Sequence, residues 1–359
     1  MNYREVELLF RESIATAGTK TIDLGVQNPV SRIDVIWKKT NSNRTPIAHP
    51  GKIVSSIEVV DGSDVLFSMN GQDAQALDYF TTRMQPASMI NYETGQWSMQ
   101  IASIYFGRYL WDKILALDPK RFNNIQIKVQ HNLDLGGATG TVADLSIYAH
   151  VFDDMVIEPR GFLLSKEQYS FLPVANSWYY IDLPTDYPIR ALMFGANECE
   201  DGPEYNLDEF KITENEGKSV IVESEMERYL LVQSQHYDPW MEKVIFKVAG
   251  ADTDLDFYAS PHWERSFVGV CADASGYLDY HSAAGCLYDV ACNAVNLVEG
   301  WAQGHAPFGQ IFVPFGPLDT VDEYWDIQRS ASGKLSIQAG AGPDTDEYVR
   351  AYVQQVRSY

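Results

Sequence analysis

Seven histidines, four cysteines and a large surplus of carboxylates are the residues of this chain whose types could do chemistry. The histidines are His49, His131, His150, His236, His262, His281 and His305. A metal held inside a β-barrel needs closely spaced histidines and a carboxylate, and no His-x-His occurs. The cysteines are Cys199, Cys271, Cys286 and Cys292, with no Cys-x-x-Cys pair. A zinc site built from them with His262 or His281 fits no known ligand spacing, so buried free thiols are the expectation. Asp252-Thr253-Asp254-Leu255-Asp256 alternates carboxylates as a calcium loop does. It lacks the glycine that should follow and the closing glutamate. Asp344, Asp346 and Glu347 fall in a turn, and Glu198, Glu200, Asp201 and Glu204 in a loop after a strand pattern. Solvated loops are the expected reading of all three clusters, with a structural calcium at a subunit contact as the alternative.

Nucleophile and phosphate motifs are missing too. There is no Gly-x-Ser-x-Gly, no His-Glu-x-x-His and no Gly-x-x-x-x-Gly-Lys-[Ser/Thr]. Gly136-Gly137-Ala138-Thr139-Gly140 lies between two strand patterns and reads as a turn. No catalytic, cofactor-binding or metal residue is assigned, and an enzyme is not expected. A general acid/base pair hidden among 49 Asp and Glu is the one remaining route to hydrolysis.

The elements that would position any site are mostly strands. Ile53 to Val59, Ile125 to Val129 and Leu145 to Val151 alternate apolar residues with period two, as half-buried strands do. Asp61-Gly62, Asn70-Gly71, Glu216-Gly217 and Gly340 to Pro343 mark turns. Helical spacing is confined to Glu5 to Thr16, Asp73 to Met84, Arg108 to Leu117 and Leu287 to Gly300.

These strands recur. Ile22-Asp23-Leu24, Pro29, Ile33 and Val35 return as Ile181-Asp182-Leu183, Pro188, Leu192 and Phe194, 159 residues on. Ile57 to Val59 matches Phe210 to Ile212, and Val65 to Phe67 matches Val220 to Val222. Phe106-Gly107 matches Phe315-Gly316, Ile125 to Val129 matches Leu335 to Ala339, and Leu145 to Ala149 matches Val349 to Val353. Leu8-Leu9 is echoed by Leu163-Leu164. The order never changes, and the offset steps only between segments, where loops grow. Its largest step places a long insertion at about 225–312 of the second half.

A period this long means two similar domains and not a solenoid. The expected class is all-β: two tandem eight-stranded jelly-roll barrels, a few short helices, and a long loop insertion in the second. The expected division is a helical N-terminal arm over 1–18, a first barrel over 19–158 and a second over 159–359. The insertion is dense in aromatics, among them Tyr237, Trp240, Phe257, Tyr258, Trp263, Phe267, Tyr277, Tyr280, Tyr288 and Trp301. They suit either a subunit interface or a local core beneath the loops.

The chain is 45% hydrophobic, enough for two packed cores, and no apolar run approaches the roughly 20 residues that span a bilayer. Glu5, Glu7, Arg11 and Glu12 interrupt any secretory h-region, so synthesis in a cytosol is expected and the sequon Asn43-Arg44-Thr45 is incidental. A net charge of −22 repels phosphate and disfavours direct nucleic-acid binding.

Paired Ile-Asp-Leu…Pro openings, paired Phe-Gly segments and a large insertion in one half only resemble the double jelly-roll major capsid proteins of tailless icosahedral viruses, the lineage of adenoviruses and internal-membrane bacteriophages. The resemblance covers essentially the whole chain. It implies a structural protein of the virion, made in the host cytoplasm. It also implies a homotrimer with pseudo-hexagonal outline that tiles an icosahedral capsid shell. The partners implied are further copies of itself, penton or minor capsid proteins, and an underlying membrane reached by the N-terminal arm. Two other readings stand beside it: a receptor-binding spike protein, and a glycan-acting hydrolase built on paired jelly rolls. A two-barrel cupin is disfavoured by the histidine spacing.

Overall fold

The computed structural model describes residues 2–153, 157–197, 201–247, 253–272, 278–280, 285–292, 297–343 and 347–359. Two sheets face one another in each half. In the first half, Tyr3–Ile14, Val142–Phe152, Val30–Thr40 and Trp97–Tyr105 lie side by side in that order. Opposite them run Ala17–Asp23, Ile125–Asn132, Val54–Asp61 and Asp64–Met69. In the second half the equivalent sheets are Gly161–Phe171, Val349–Ser358, Ile189–Ala196 and Gln310–Pro314, and Trp178–Asp182, Gly333–Ala339, Leu207–Glu214 and Ser219–Glu225. Counted within its own half, each set of eight strands runs 1-8-3-6 in one sheet and 2-7-4-5 in the other. That is the jelly-roll order, used twice.

Alternation fills each barrel. Ile33 and Val35, Ile57 and Val59, Ile127 and Val129, and Leu145 and Ile147 turn inward in the first half and are fully buried. Leu192 and Phe194, Phe210 and Ile212, and Leu335 and Ile337 do the same in the second.

The barrels are fused through main chain. Asp64–Met69, an edge strand of the first, pairs in parallel with Gly161–Phe171 of the second at Phe67–Ser165 and Ser68–Lys166. One eight-stranded sheet therefore crosses both halves. The insertion belongs to the second barrel by sequence and to the first by structure. Its strand Trp240–Lys247 pairs in parallel with Met89–Asn91, and Leu297–Pro307 and Pro261–Cys271 follow, extending the first barrel's sheet to eight strands. A small sheet of Thr253–Tyr258, Leu287–Cys292 and Leu278–Tyr280 packs with it.

Helix Gly71–Thr82 forms where its spacing indicates. Asn70 Oδ1 caps it by accepting from the Asp73 N–H at 2.8 Å, and Arg83 closes it in the left-handed region at φ 59°. The other three helical expectations are corrected. Tyr3–Ile14 is the first strand of the first barrel, paired along Val142–Phe152, and not a helical arm. Two β-bulges, between Glu7 and Leu9 and between Leu9 and Glu12, break its alternation and leave Val6, Leu9 and Ile14 at a spacing that mimics a helix. Residues 108–117 form irregular turns held by an Arg108–Asp112 ion pair of 2.7 Å, with Trp111 at φ 71°. Residues 287–300 contain strand Leu287–Cys292 and the start of Leu297–Pro307. Helix Met226–Ser234, which periodicity missed, follows the fifth strand of its barrel just as Gly71–Thr82 follows the fifth strand of the first.

Candidate functional site

Among the described residues, the constellation that resembles a catalytic triad is Ser260, His49 and Glu242. His49 precedes the turn Pro50–Ile53, and its Nδ1 accepts from the Gly51 N–H at 2.9 Å. Its Nε2 therefore carries a proton, which it donates to Glu242 at 3.1 Å. Ser260 Oγ lies 3.1 Å from the same nitrogen but donates to Glu242 at 2.5 Å, and the Ser260 N–H donates there too at 3.0 Å. A general base needs a free imidazole lone pair facing the serine. Here that lone pair is spent on Gly51, and all three side chains are buried. Burial alone would raise the Glu242 carboxyl, yet the hydrogen bonds it accepts from His49 and from the hydroxyl and N–H of Ser260 hold it below the ordinary range. The cluster fastens the insertion, through Glu242 and Ser260, to the first barrel.

Two further buried clusters share this tethering character. Asp34 accepts from His150 Nε2 at 2.8 Å, Arg32 at 2.8 Å and Ser103 Oγ at 2.7 Å. Burial opposes its ionisation, but His150 and Arg32 outweigh that and lower its pKa. Asp78 of helix Gly71–Thr82 lies over it, and burial pushes that carboxyl up to about 7. At the junction of the barrels, Asp73 accepts from Asn70 Nδ2 at 2.6 Å and Gln310 Nε2 at 3.0 Å, and from the Tyr352 hydroxyl. Gln310 reaches on to Asn197 Oδ1 at 3.1 Å. One helix terminus is thereby tied to two strands of the other barrel.

The sequence-selected residues scatter. His262 is buried, and desolvation drives its pKa down to about 3. His131 is buried and His236 exposed. Cys286 is in a disulfide, which corrects the expectation of free thiols throughout, and Cys271 is half-buried. Cys199, Glu198, Glu200, Asp252, Tyr277, His281, Asp344 and Asp346 lie outside the described residues, as do the side chains of Asp254, Tyr280 and Cys292. Glu204 joins Asp208, Glu209, Glu225 and Glu227 around a cavity of about 390 Å³, and burial raises its pKa. Among the described residues, no three His, Cys, Asp or Glu side chains are grouped to hold a metal ion.

What the insertion does present is an exposed sheet face that is largely apolar, crossed by one ion pair between Lys243 and Glu299 at 3.0 Å. Pro261–Cys271 is the last strand of its sheet. On it Val268, 64% exposed, lies opposite Trp301, and Trp301 lies opposite Lys243. Val270, 69% exposed, lies opposite Glu299, and Met241 is exposed further along the same face. The other aromatics divide differently: Tyr237, Trp240, Phe257, Phe267 and Tyr288 are buried in the molecule's own cores. The run Phe267-Val268-Gly269-Val270-Cys271, apolar on both faces of a strand, was the sequence signal for this surface.

Solved structures share the arrangement over almost the entire chain. The STIV MCP matches with a TM-score of 0.61 at 10% identity, covering 99% of this chain and 96% of that one. Its fold is that of the double jelly-roll major capsid proteins. The major capsid protein P2 from bacteriophage PM2 gives 0.55 at 12% identity over 99% and 98% of the two chains. The PBCV-1 virus capsid gives 0.58 at 11% identity over 99% and 93%. No protein-family profile matches the sequence, and no curated protein matches it. The double jelly roll is thus shared at the level of backbone, with the residues on it almost wholly replaced.

Proposed function

We propose that this chain is a structural subunit of a virion shell, a major capsid protein that assembles as a homotrimer and is made in the host cell. The observation that carries the reading is the fusion of two barrels of one topology through a shared sheet. Three such chains offer six similar blocks around a threefold axis, and cyclic closure satisfies their contacts. The exposed face of Val268, Val270, Trp301 and Met241 supports self-association, because an apolar patch of this kind on a sheet marks a contact surface. The polar clusters described above support a structural role, since each is buried and occupied in tethering one element to another. Neighbouring trimers and other shell components are the partners this reading requires.

Light scattering on the purified protein tests it. A species near three times 40.5 kDa, or larger closed particles, is expected. A monomer that persists at high protein concentration would overturn the proposal.

A further inference from the structure

Away from the apolar sheet face, two cavities of about 350 and 330 Å³ share Arg83, Pro317 and Leu318 and so form one cleft. Its two ends differ in chemistry. One is lined by Val222, Val232, Tyr237, Phe312 and Pro314. The other is lined by Arg83, Arg108 and Arg190, with Thr81 and Thr82 beside them. Three arginines converging in a chain of net charge −22 run against the surface average.

The charges are only partly answered within the protein. Arg108 is neutralised by Asp112. Asp319 stands exposed at the rim, and its main-chain carbonyl accepts from Arg108. Arg190 is 1% exposed, and the partners of its guanidinium are neutral groups: the Leu318 carbonyl at 3.0 and 3.1 Å, Gln354 Oε1 at 2.5 Å and the Tyr324 hydroxyl. Among the described residues no carboxylate pairs with Arg190 or Arg83. Burying a cation without a counter-charge is costly, and a bound anion would relieve that cost. Arg83 lies over the Tyr237 ring at 5.6 Å. Arg83 lines both cavities and so stands where the polar end meets the apolar one, with Arg190 beyond it in the polar end.

We propose that this cleft binds a single-chain amphiphile with an anionic head, phosphate or carboxylate, seated between Arg83 and Arg190, its alkyl tail lying along Phe312, Val232 and Pro314. An anion alone would leave the apolar end unused, and a neutral amphiphile would leave the arginines unanswered.

Calorimetric titration of the native assembly with dodecyl phosphate and with dodecanoate, each below its micellar concentration, tests the site. Both are expected to bind at one per chain. Dodecyl maltoside, dodecyltrimethylammonium and inorganic phosphate are expected to bind at least about tenfold more weakly, a difference of about 1.4 kcal/mol. Arg83→Glu and Val232→Asp, both at exposed positions, should each cost a similar factor with the thermal midpoint unchanged, and Arg83→Lys should retain most of the affinity. Flotation with phosphatidylglycerol vesicles separates the sources. Vesicle binding that is lost in Arg83→Glu identifies a membrane lipid, and binding of the free amphiphiles without vesicle binding identifies a soluble one. Equal affinity for the neutral and anionic heads, unchanged affinity in Arg83→Glu, or no binding of either anionic compound would overturn the proposal.

Discussion

The hydroxyl of Tyr352 donates to the carboxylate of Asp73, and both side chains are fully buried at the junction of the two barrels. Asp73 stands in the first turn of helix Gly71–Thr82, and burial there raises its pKa above the ordinary carboxylate range despite the donors around it. Tyr352 stands on the last strand of the second barrel. One hydrogen bond thus ties a helix of the first half to a strand of the second.

Tyr352→Phe should therefore destabilise the protein by about 1–3 kcal/mol, since it leaves a buried carboxyl group short of a hydrogen-bond partner while preserving the ring. Adding Asp73→Asn should cost less than the sum of the two single changes, because the groups act as a pair. Urea midpoints of the four proteins check this. A Tyr352→Phe protein within about 0.5 kcal/mol of the parent would show that the junction is held elsewhere.

The buried carboxyl of Asp78 gives a pH dependence of definite sign. Its pKa is about 7 in the folded state against an ordinary 3.8. Between those values the folded chain keeps a proton that the unfolded chain releases, so this group's contribution to stability is lost as pH rises through the window. Asp78→Asn stays neutral throughout. It should match the parent near pH 4 and exceed it at pH 8, by an amount on the order of 4 kcal/mol at most. Melting curves at the two pH values decide it, and an equal difference at both would remove Asp78 as the cause.

His262 works in the opposite direction. Burial lowers its pKa to about 3 from an ordinary 6.5, so in that range the unfolded state takes up a proton that the folded state refuses. Stability falls as pH drops through this window. His262→Gln should flatten the acid limb of the profile between pH 6.5 and 4 while leaving the neutral limb in place. If the parent and variant lose stability in parallel on acidification, other groups govern the acid response.

Much of the duplicated plan was legible because strand alternation survives sequence divergence. The match of Ile33 with Leu192 and of Phe106 with Phe315 holds to the residue, since Ile33 pairs with Ile104 as Leu192 pairs with Val313. Val59 opposite Phe67 and Ile212 opposite Val222 keep register in the same way. The seventh strands slip. Ile57 pairs with Val129 and Phe210 with Ile337, so Val129 corresponds to Ile337 and not to Ala339. A slip of two residues returns every side chain to the same face, and no alternation pattern detects it. The first strands were misaligned by more, because bulges in Tyr3–Ile14 erase the period. The clasp of His49, Glu242 and Ser260 was invisible for another reason. Its members come from distant segments, and nothing local marks which polar residues a fold will bury together.

The exposed strand at the sheet's end yields the sharpest assembly prediction. Val268 and Trp301 are cross-strand neighbours whose side chains contribute little to the monomer's own core, so changing them should spare folding. Burying an apolar side chain of this size is worth about 1.5–3 kcal/mol. A charge in its place forfeits that gain and adds a desolvation cost. Val268→Lys should therefore raise the protein concentration at which the assembly forms by at least about tenfold, with the thermal midpoint of the dissociated chain within about 2 °C of the parent. Sedimentation velocity over a dilution series measures the first quantity and calorimetry the second. Unchanged association would move the contact surface away from this sheet. A collapsed melting temperature would instead mean that Val268 supports the insertion's own fold, and Trp301→Lys, on the adjoining strand, would then carry the test.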